Sequence, residues 1–478
     1  MEYIFTYPRE KFDRGELTST ELIALINKHE TELVPQMRKN FNYYMGEHEI
    51  KTKNREKSGV NNAPNAQPVS NHAKDIADTA SGYFMGSPIS WKSRSGESDL
   101  GALTDAFDYA ECSDTDQENA LWLSVVGRAY EYDFQERDKS ELKTKSLDPF
   151  HTFVVCDQSI EHNKLFGVYY YRKKDDTGKN EDTTTYILVS TETTRYEYEV
   201  KGEGQNEVAP VNTDQNLIGY IQIIEYKNNK FCIGDFEQQI GLIDAYNTLM
   251  ADRVNDKEQF VDALLVIYGS LLGDDEKATD EALGELKKKK LLELDEDARA
   301  EYLTSTLDEA GAESLRSALK QDIYTFSHVP NLQDENFAGN SSGVAMEYKL
   351  LGLEMLTKIK ERWYRKAIRE RLRIFIGFLG YKNIKYDEAD IESKFSRGLP
   401  KNNLEISQMI ANLSGKVSNK TLLTQIPFVE NPESEEELLR IEQEESIRRQ
   451  QEIFELAANR PPEGSTDEKE DEEVEDEQ

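Results

Sequence analysis

Carboxylates are the commonest chemistry-bearing side chains in this sequence: 92 of its 478 residues are Asp or Glu, against six His and three Cys. Clustered carboxylates can hold divalent metal for phosphodiester hydrolysis, so a metal-dependent nuclease or packaging enzyme is one reading. At this density, however, some acidic pair always looks catalytic, and spacing adds no support. There is no GxxxxGK[ST] phosphate loop, no HExxH, no GxSxG and no zinc-knuckle spacing. No second ligand follows His72 at a useful spacing, so it reads as a structural histidine. Cys112, Cys156 and Cys232 are too scattered for a CxxC site and too few for a disulfide framework, and read as free buried thiols. The expectation is a chain with no catalytic residues, no metal and no cofactor.

The polar loop from Pro330 to Gly343 is the better functional candidate. Asn336, Asn340, Ser341 and Ser342 supply uncharged hydrogen-bonding groups, Gly339 and Gly343 free the backbone, and Phe337 is positioned to anchor the loop or touch a ligand. Asn340-Ser341-Ser342 is also a glycosylation sequon, read as incidental. The loop runs into a long helical pattern. Tyr348, Leu351, Met355, Ile359 and Trp363 recur at three- and four-residue steps, and Ile368, Leu372, Phe375 and Leu379 continue them. The pattern predicts one helix over 344–379 with a single buried face, capped by Ser341 or Ser342 and ended by Gly380. At about 1.5 Å per residue it is roughly 50 Å long, enough to cross between parts of a structure.

Bulk composition narrows the partners. The net charge of -34 argues against tight binding of nucleic acid through a basic face, although a polyanion can still be a passing load. Residues 430–478 hold 20 acids and 5 bases, so -15 of that charge lies in the last 49 positions. Mean hydropathy is -0.73. No apolar run approaches the ~20 residues that cross a bilayer, the best being ALLVIY and IFIGFL. The start, MEYIFTYPREKFDRGE, lacks the basic region and apolar core of a secretory signal, which predicts a soluble cytoplasmic product with no membrane partner.

Taken in order, Thr18 and Glu21 predict a capping box opening a helix through Leu22, Ile26 and Leu33, broken or kinked near Pro35. Residues 70–91 read as a helix ending near Gly82, and 100–135 as helix with Leu121, Val125 and Ala129 on one face. FGVYYYR, TTTYILVS, TRYEYEV and IGYIQIIEYKNN read as strands. Helical period returns at 235–260 through Ile243, Tyr246, Met250 and Val254, with Asp235 as cap. VDALLVIYGS and KLLELD read as strands, and Ala312, Leu315, Leu319, Ile323 and Phe326 mark another helix stopping at Pro330. A strand and turn at 381–402, short helices, an acidic amphipathic helix and a disordered acidic end complete the chain. The fold class is α+β, predominantly helical.

DENFAGNSSGVAMEYKLLGLE closely resembles the tunnel loop and following helix of bacteriophage portal proteins, in the branch found in siphophages of Gram-positive hosts. FNYYMGEHEI, SNHAKDIADTASGYFMGSPISW and SNKTLLTQIPFVENPESE extend the resemblance. It implies a portal fold assembled as a ring: wing 1–234, first stem helix 235–262, clip 263–308, second stem helix 309–329, tunnel loop 330–343, long helix 344–380, return to the wing 381–402, crown 403–460 and acidic tail 461–478. It also implies a ring normally of twelve subunits, with thirteen an alternative when isolated, at one capsid vertex, through whose channel double-stranded DNA is packaged and ejected. Implied partners are terminase, major capsid and scaffolding proteins and a head-completion adaptor, with assembly in host cytoplasm and residence in the virion.

Within that frame Asn336, Phe337, Gly339, Asn340, Ser341 and Ser342 face DNA, touching phosphates without the pull of a fixed charge. Lys287, Lys288, Lys289 and Lys290 are candidates for clip contacts with partners or DNA, or for protection of a strand edge. From Lys358 to Arg373 there are eight Lys/Arg and two Glu. Among these, Arg362, Arg365, Lys366 and Arg369 are candidates for pairing with acids on adjacent subunits, the favoured reading, or for contact with DNA.

Overall fold

The computed structural model describes residues 4–52, 65–136, 139–174, 181–201, 208–261, 264–268, 299–303, 309–332, 343–397, 403–426, 429 and 432–458. Two compact units divide the chain, at residues 1–398 and 399–478.

The first unit opens with β1 (Phe5–Thr6) and α1 (Arg9–Asp13), then α2 (Ser19–Lys28). The Thr18/Glu21 capping box is present in both directions, which fixes where α2 begins. A one-turn π-bulge at His29–Leu33 follows, and α3 (Val34–Tyr44) carries Pro35 in its first turn. Proline is tolerated there because the first-turn N–H groups have no intrahelical acceptor, so Pro35 offsets two helices rather than ending one. Next come α4 (His72–Met85), β2 (Ser90–Ser93), α5 (Gly101–Tyr109) and α6 (Cys112–Val126). Thus α4 continues past Gly82 to Met85.

The helix expected over 100–135 is corrected. Gly127, at φ 81°, ends α6, and a Cβ there would lie 2.2 Å from the Cys232 carbonyl oxygen. The chain then becomes β3 (Arg128–Gln135), between β4 (Leu142–Leu147) and β10 (Ile223–Lys227), so Ala129 belongs to a strand. Tyr130-Glu131-Tyr132-Asp133-Phe134-Gln135 alternates apolar and polar as a strand does, yet both faces are covered, so the polar Glu131 and Asp133 are buried as well.

A larger sheet has the order β1-β5-β6-β7-β8-β9, with β5 (Thr152–Cys156), β6 (Lys164–Lys174), β7 (Glu181–Ser190), β8 (Thr194–Lys201) and β9 (Asn212–Gln215). Only β1 joins in parallel. Gly167 of β6 lets the two sheets approach, since a Cβ there would lie 2.5 Å from that of Ile223. One face of this sheet packs with α2 and α3 around Phe5, Phe153, Phe166 and Tyr170.

The chain leaves through α7 (Ile240–Val261), a ladder of β11 (Leu264–Tyr268) with β12 (Arg299–Leu303), and α8 (Glu309–Ser327). The expected KLLELD strand lies outside the described residues. Arg253 of α7 reaches both Glu309 and Glu313 of α8 at 2.9 Å, pinning the two helices side by side. Of the stripe predicted for α8, Ile323 is buried, whereas Leu315 and Phe326 face solvent. The pair is fastened to the body by polar joints: Asn247 donates to His48 Nδ1 at 2.8 Å and accepts from the Ser70 N–H at 2.8 Å. His72 lies edge-on to Tyr246 and Tyr324, a structural role as expected.

The long helix α9 (Gly343–Tyr381) has 39 residues and a length of about 58 Å. Gly380 falls inside its last turn, and Asn383, at φ 63°, reverses the chain just beyond it. The return strand β13 (Ile391–Lys394) pairs with β2. In the second unit α10 (Asn403–Leu413), α11 (Asn419–Leu423) and α12 (Pro432–Ala458) follow. Ser418 caps α11, whose Leu422 and Leu423 are buried.

Candidate functional site

The helix α9 has two faces with opposite fates. Leu353, Tyr364, Ala367, Ile368, Leu372, Phe375 and Leu379 are buried. Phe375 meets Phe107 of α5, while Tyr364 meets Phe84 of α4 and Tyr226 of β10. The predicted buried positions in the second half of the helix are therefore inside.

Those in the first half are not. Tyr348 is 72% exposed, Leu351 52%, Met355 62% and Ile359 45%, and Trp363 is only half-buried. Their spacing marks an apolar stripe, as the sequence indicates. Within one copy, however, Leu350 and Leu353 take the inward position instead, in the buried cluster that holds Ala77, Ala80 and Tyr83 of α4 and Ile323 of α8.

Of the eight bases between Lys358 and Arg373, most are neutralised within the chain. Arg371 is fully buried: its Nε donates to Glu131 Oε1 at 2.6 Å, and its Nη2 donates to Glu131 and, at 2.7 Å, to Asp116 Oδ1. Asn119 and Tyr226 each donate to Glu131 Oε2 at 3.0 Å, and Tyr364 donates to Asp116. Asp133 projects from the same side of β3 as Glu131, and neither of its oxygens finds a donor. Burial, reinforced by Glu131, pushes the Asp133 carboxyl well above the usual carboxylate range. Two acids, Asp116 and Glu131, thus share one guanidinium, with Asp133 buried beside them.

Lys360 is likewise internal, donating to Asp235 at 2.7 Å and Ser124 at 3.0 Å. Asp235 is therefore an ion-pair partner, not the cap of α7, which starts at Ile240 after a short 3₁₀ turn. Arg365, predicted to reach a neighbour or DNA, bonds Glu361 one turn back at 2.8 Å and covers Phe395. Lys358 pairs with Glu354 and Arg373 with Glu388. Arg397, near the end of the first unit, reaches Glu354 and Glu361 together, at 2.8 and 2.9 Å. Arg362, Lys366 and Arg369 remain exposed with no carboxylate partner among the described residues; Lys366 lies over the Trp363 ring at 4.2 Å.

The proposed tunnel-loop residues Asn336, Phe337, Gly339, Asn340, Ser341 and Ser342 lie outside the described residues, as do Lys287, Lys288, Lys289 and Lys290. Among the described residues, no group of three or more His, Cys, Asp or Glu is arranged to hold a metal ion, and no helix is long and apolar enough to cross a membrane. None of the three cysteines forms a disulfide among the described residues; Cys112 is buried, Cys156 and Cys232 only partly. The network around Arg371 escaped sequence reasoning, since Asp116, Glu131 and Arg371 are far apart in the chain. The one available signal was an Arg at a position in register with Ile368, Leu372 and Phe375.

Known proteins supply the context for this arrangement. The chain is 24% identical over 459 residues to the portal protein of Bacillus phage SPP1, covering 90% of this chain and 87% of that relative. It is 26% identical over 231 residues to the portal protein of Clostridium phage phiCD119, covering 47% and 49%. A chain from the neck of the native GTA particle, computed with C12 symmetry, superposes with a TM-score of 0.45 at 10% identity, over 74% of this chain and 88% of that one. The sequence model for "Phage portal protein, SPP1 Gp6-like" matches residues 23–451. With nine-tenths of its length matched by that model, the chain belongs to the SPP1 Gp6-like family of phage portal proteins.

Proposed function

We propose that copies of this chain close into a ring, twelve in number by family resemblance, at one vertex of the capsid. Its central channel passes double-stranded DNA during packaging and again during ejection. The observation that carries this reading, beyond family membership, is the outward stripe Tyr348–Leu351–Met355–Ile359 on a helix whose other face is fully packed. Burying Leu, Met or Ile contributes roughly 1.5–3 kcal/mol each, so a neighbouring copy that covers the stripe stabilises both. Leu315 and Phe326 on α8 add to the uncovered apolar surface.

In this reading α7 and α8 are the stem, the β11–β12 ladder belongs to the clip, and residues 330–343 form a loop facing the DNA. Terminase, the head-completion adaptor, and the major capsid and scaffolding proteins are the expected partners, met first in host cytoplasm and then in the virion. The role is mechanical, with no covalent step assigned to any residue. Native mass tests it directly: the purified protein should give a particle near twelve or thirteen times 54.9 kDa with a central hole. A folded monomer that persists at high concentration overturns it.

A further inference from the structure

The exposed stripe of α9 changes character along its length. After Ile359 the same outward line continues as Arg362, Lys366 and Arg369, at four- and three-residue steps. Like charges at those separations repel within their own helix, and no described carboxylate lies within ion-pair distance of them. An outside partner of opposite charge is what the line lacks.

Such a surface exists on the same chain. Between α4 and α6 lies a cleft of about 430 Å³ lined by Asp78 and Gly82 from α4 and by Asp114, Gln117, Glu118 and Leu121 from α6. Asp114 and Glu118 are one turn apart, exposed, and have no cationic partner among the described residues, while Asp78 is paired with Lys74 at 2.9 Å. A Cβ at Gly82 would meet no atom within 4 Å, which leaves the cleft open to an incoming side chain. Leu121 gives it an apolar wall.

The two surfaces lie on opposite sides of one layer. Asp116, Leu123 and Ser124 of α6 face α9, where Asp116 meets Tyr364 and Arg371, and Ser124 meets Lys360. Asp114 and Glu118 are each two residues, about 200°, from Asp116, so they face away from α9. By the same count Arg362 and Lys366, two residues either side of Tyr364, face away from α6. A cation stripe on one side and an acidic cleft on the other cannot meet within a copy. They are disposed to meet head to tail between copies, the contact type that generates closed rings.

We propose that Arg362, Lys366 and Arg369 of one copy dock against the α4/α6 cleft of the next. This rests on the ring reading and names the polar half of its contact; the apolar stripe supplies the other half. The cation–π contact of Lys366 with Trp363 holds one of the three heads near the helix before docking.

The test uses full-length protein and native mass at graded concentrations. One variant carries Arg362→Glu and Arg369→Glu, the other Asp114→Asn and Glu118→Lys; all four positions are exposed, and circular dichroism with thermal melting checks that each variant folds. Each variant alone should need at least roughly tenfold more protein to form rings, because like charges then meet at every contact. Mixing the two in equal amounts should restore assembly, since each variant's altered surface complements the other's. Wild-type assembly should weaken as salt rises from about 0.1 to 1 M. Rings that form as readily in either variant as in wild type overturn the pairing while leaving the ring reading intact. Failure of the mixture to recover does the same, as does loss of DNA binding with unchanged assembly, which would assign the stripe to nucleic acid. A wild type that never leaves the monomer removes the ring reading itself, and this proposal with it.

Discussion

Arg371 on the long helix and Glu131 on β3, 240 positions apart in the chain, are joined through Nε and Nη2 of one guanidinium, with neither side chain open to solvent. This joint ties α9, whose free end bears the tunnel loop in the proposed function, to the sheet of the body. Breaking it by Arg371→Met leaves Glu131 and Asp116 buried without their counter-charge. The expected cost is about 3–5 kcal/mol in urea unfolding. An unchanged unfolding midpoint would show that Asn119, Tyr226 and Tyr364 suffice to hold the two carboxylates.

Asp133 provides a pH signature of opposite sign to an ordinary ion pair. Its carboxyl lies above its ordinary value of 3.8 in the folded protein because of burial and Glu131. The folded state therefore binds more protons than the unfolded one, and the contribution of Asp133 to stability declines as pH rises from about 4 through the folded pKa. Asp133→Asn imitates the protonated form and should remove that slope. Its stability relative to wild type is expected to increase as pH rises above about 4. A difference that stays constant from about pH 4 upward contradicts an Asp133 whose pKa is raised on folding.

His29 gives the complementary case. Its Nδ1 lies 2.9 Å from the Tyr170 hydroxyl, which itself donates to the Phe150 carbonyl, so Nδ1 carries the hydrogen and donates to Tyr170. Nε2 has no partner among the described residues, and the ring stacks on Phe153 at 5.0 Å. Burial lowers its pKa to about 3, with the Arg128 charge the next cause. Stability from the neutral ring is fully present above 6.5 and is lost as pH falls from there toward 3, at up to about 1.4 kcal/mol per unit. His29→Phe should flatten that acid limb in denaturation curves measured from pH 7 to pH 4. A limb as steep as wild type's would assign the acid sensitivity elsewhere.

The two faces of α9 should separate assembly from folding. Met355→Lys with Ile359→Lys alters exposed positions, so the folded subunit should change by no more than about 0.5 kcal/mol while rings are lost. Phe375→Ala, on the buried face, should cost about 3–5 kcal/mol. Sedimentation and thermal melting read the two effects independently. Intact rings in the double lysine variant would remove the stripe from the interface.

Deleting residues 336–342 should leave ring mass and melting unchanged but impair DNA packaging in an assembled phage system. Normal packaging after that deletion withdraws the role given to Asn336, Phe337 and Asn340.

Much of this architecture is legible along the chain, because local rules operate over a few residues. The Thr18/Glu21 box starts α2, alternating aromatic and β-branched residues mark β6, β7 and β8, and the three- and four-residue rhythm identifies α9 almost to its ends. Where such rules are overridden by distant partners, the reading strays. The helical pattern of α6 masks the switch at Gly127 to the alternating Tyr130–Gln135 of β3, and Asp235 looks like a cap because Lys360 is 125 positions away. The rhythm of Tyr348, Leu351, Met355 and Ile359 shows that they share a face but not which way it points. Only the tertiary structure settles that, by packing the body of the protein against the opposite side and by pairing Lys360 and Arg371 with carboxylates in the interior. Periodicity is a property of one helix, whereas inside and outside are defined by what packs against it.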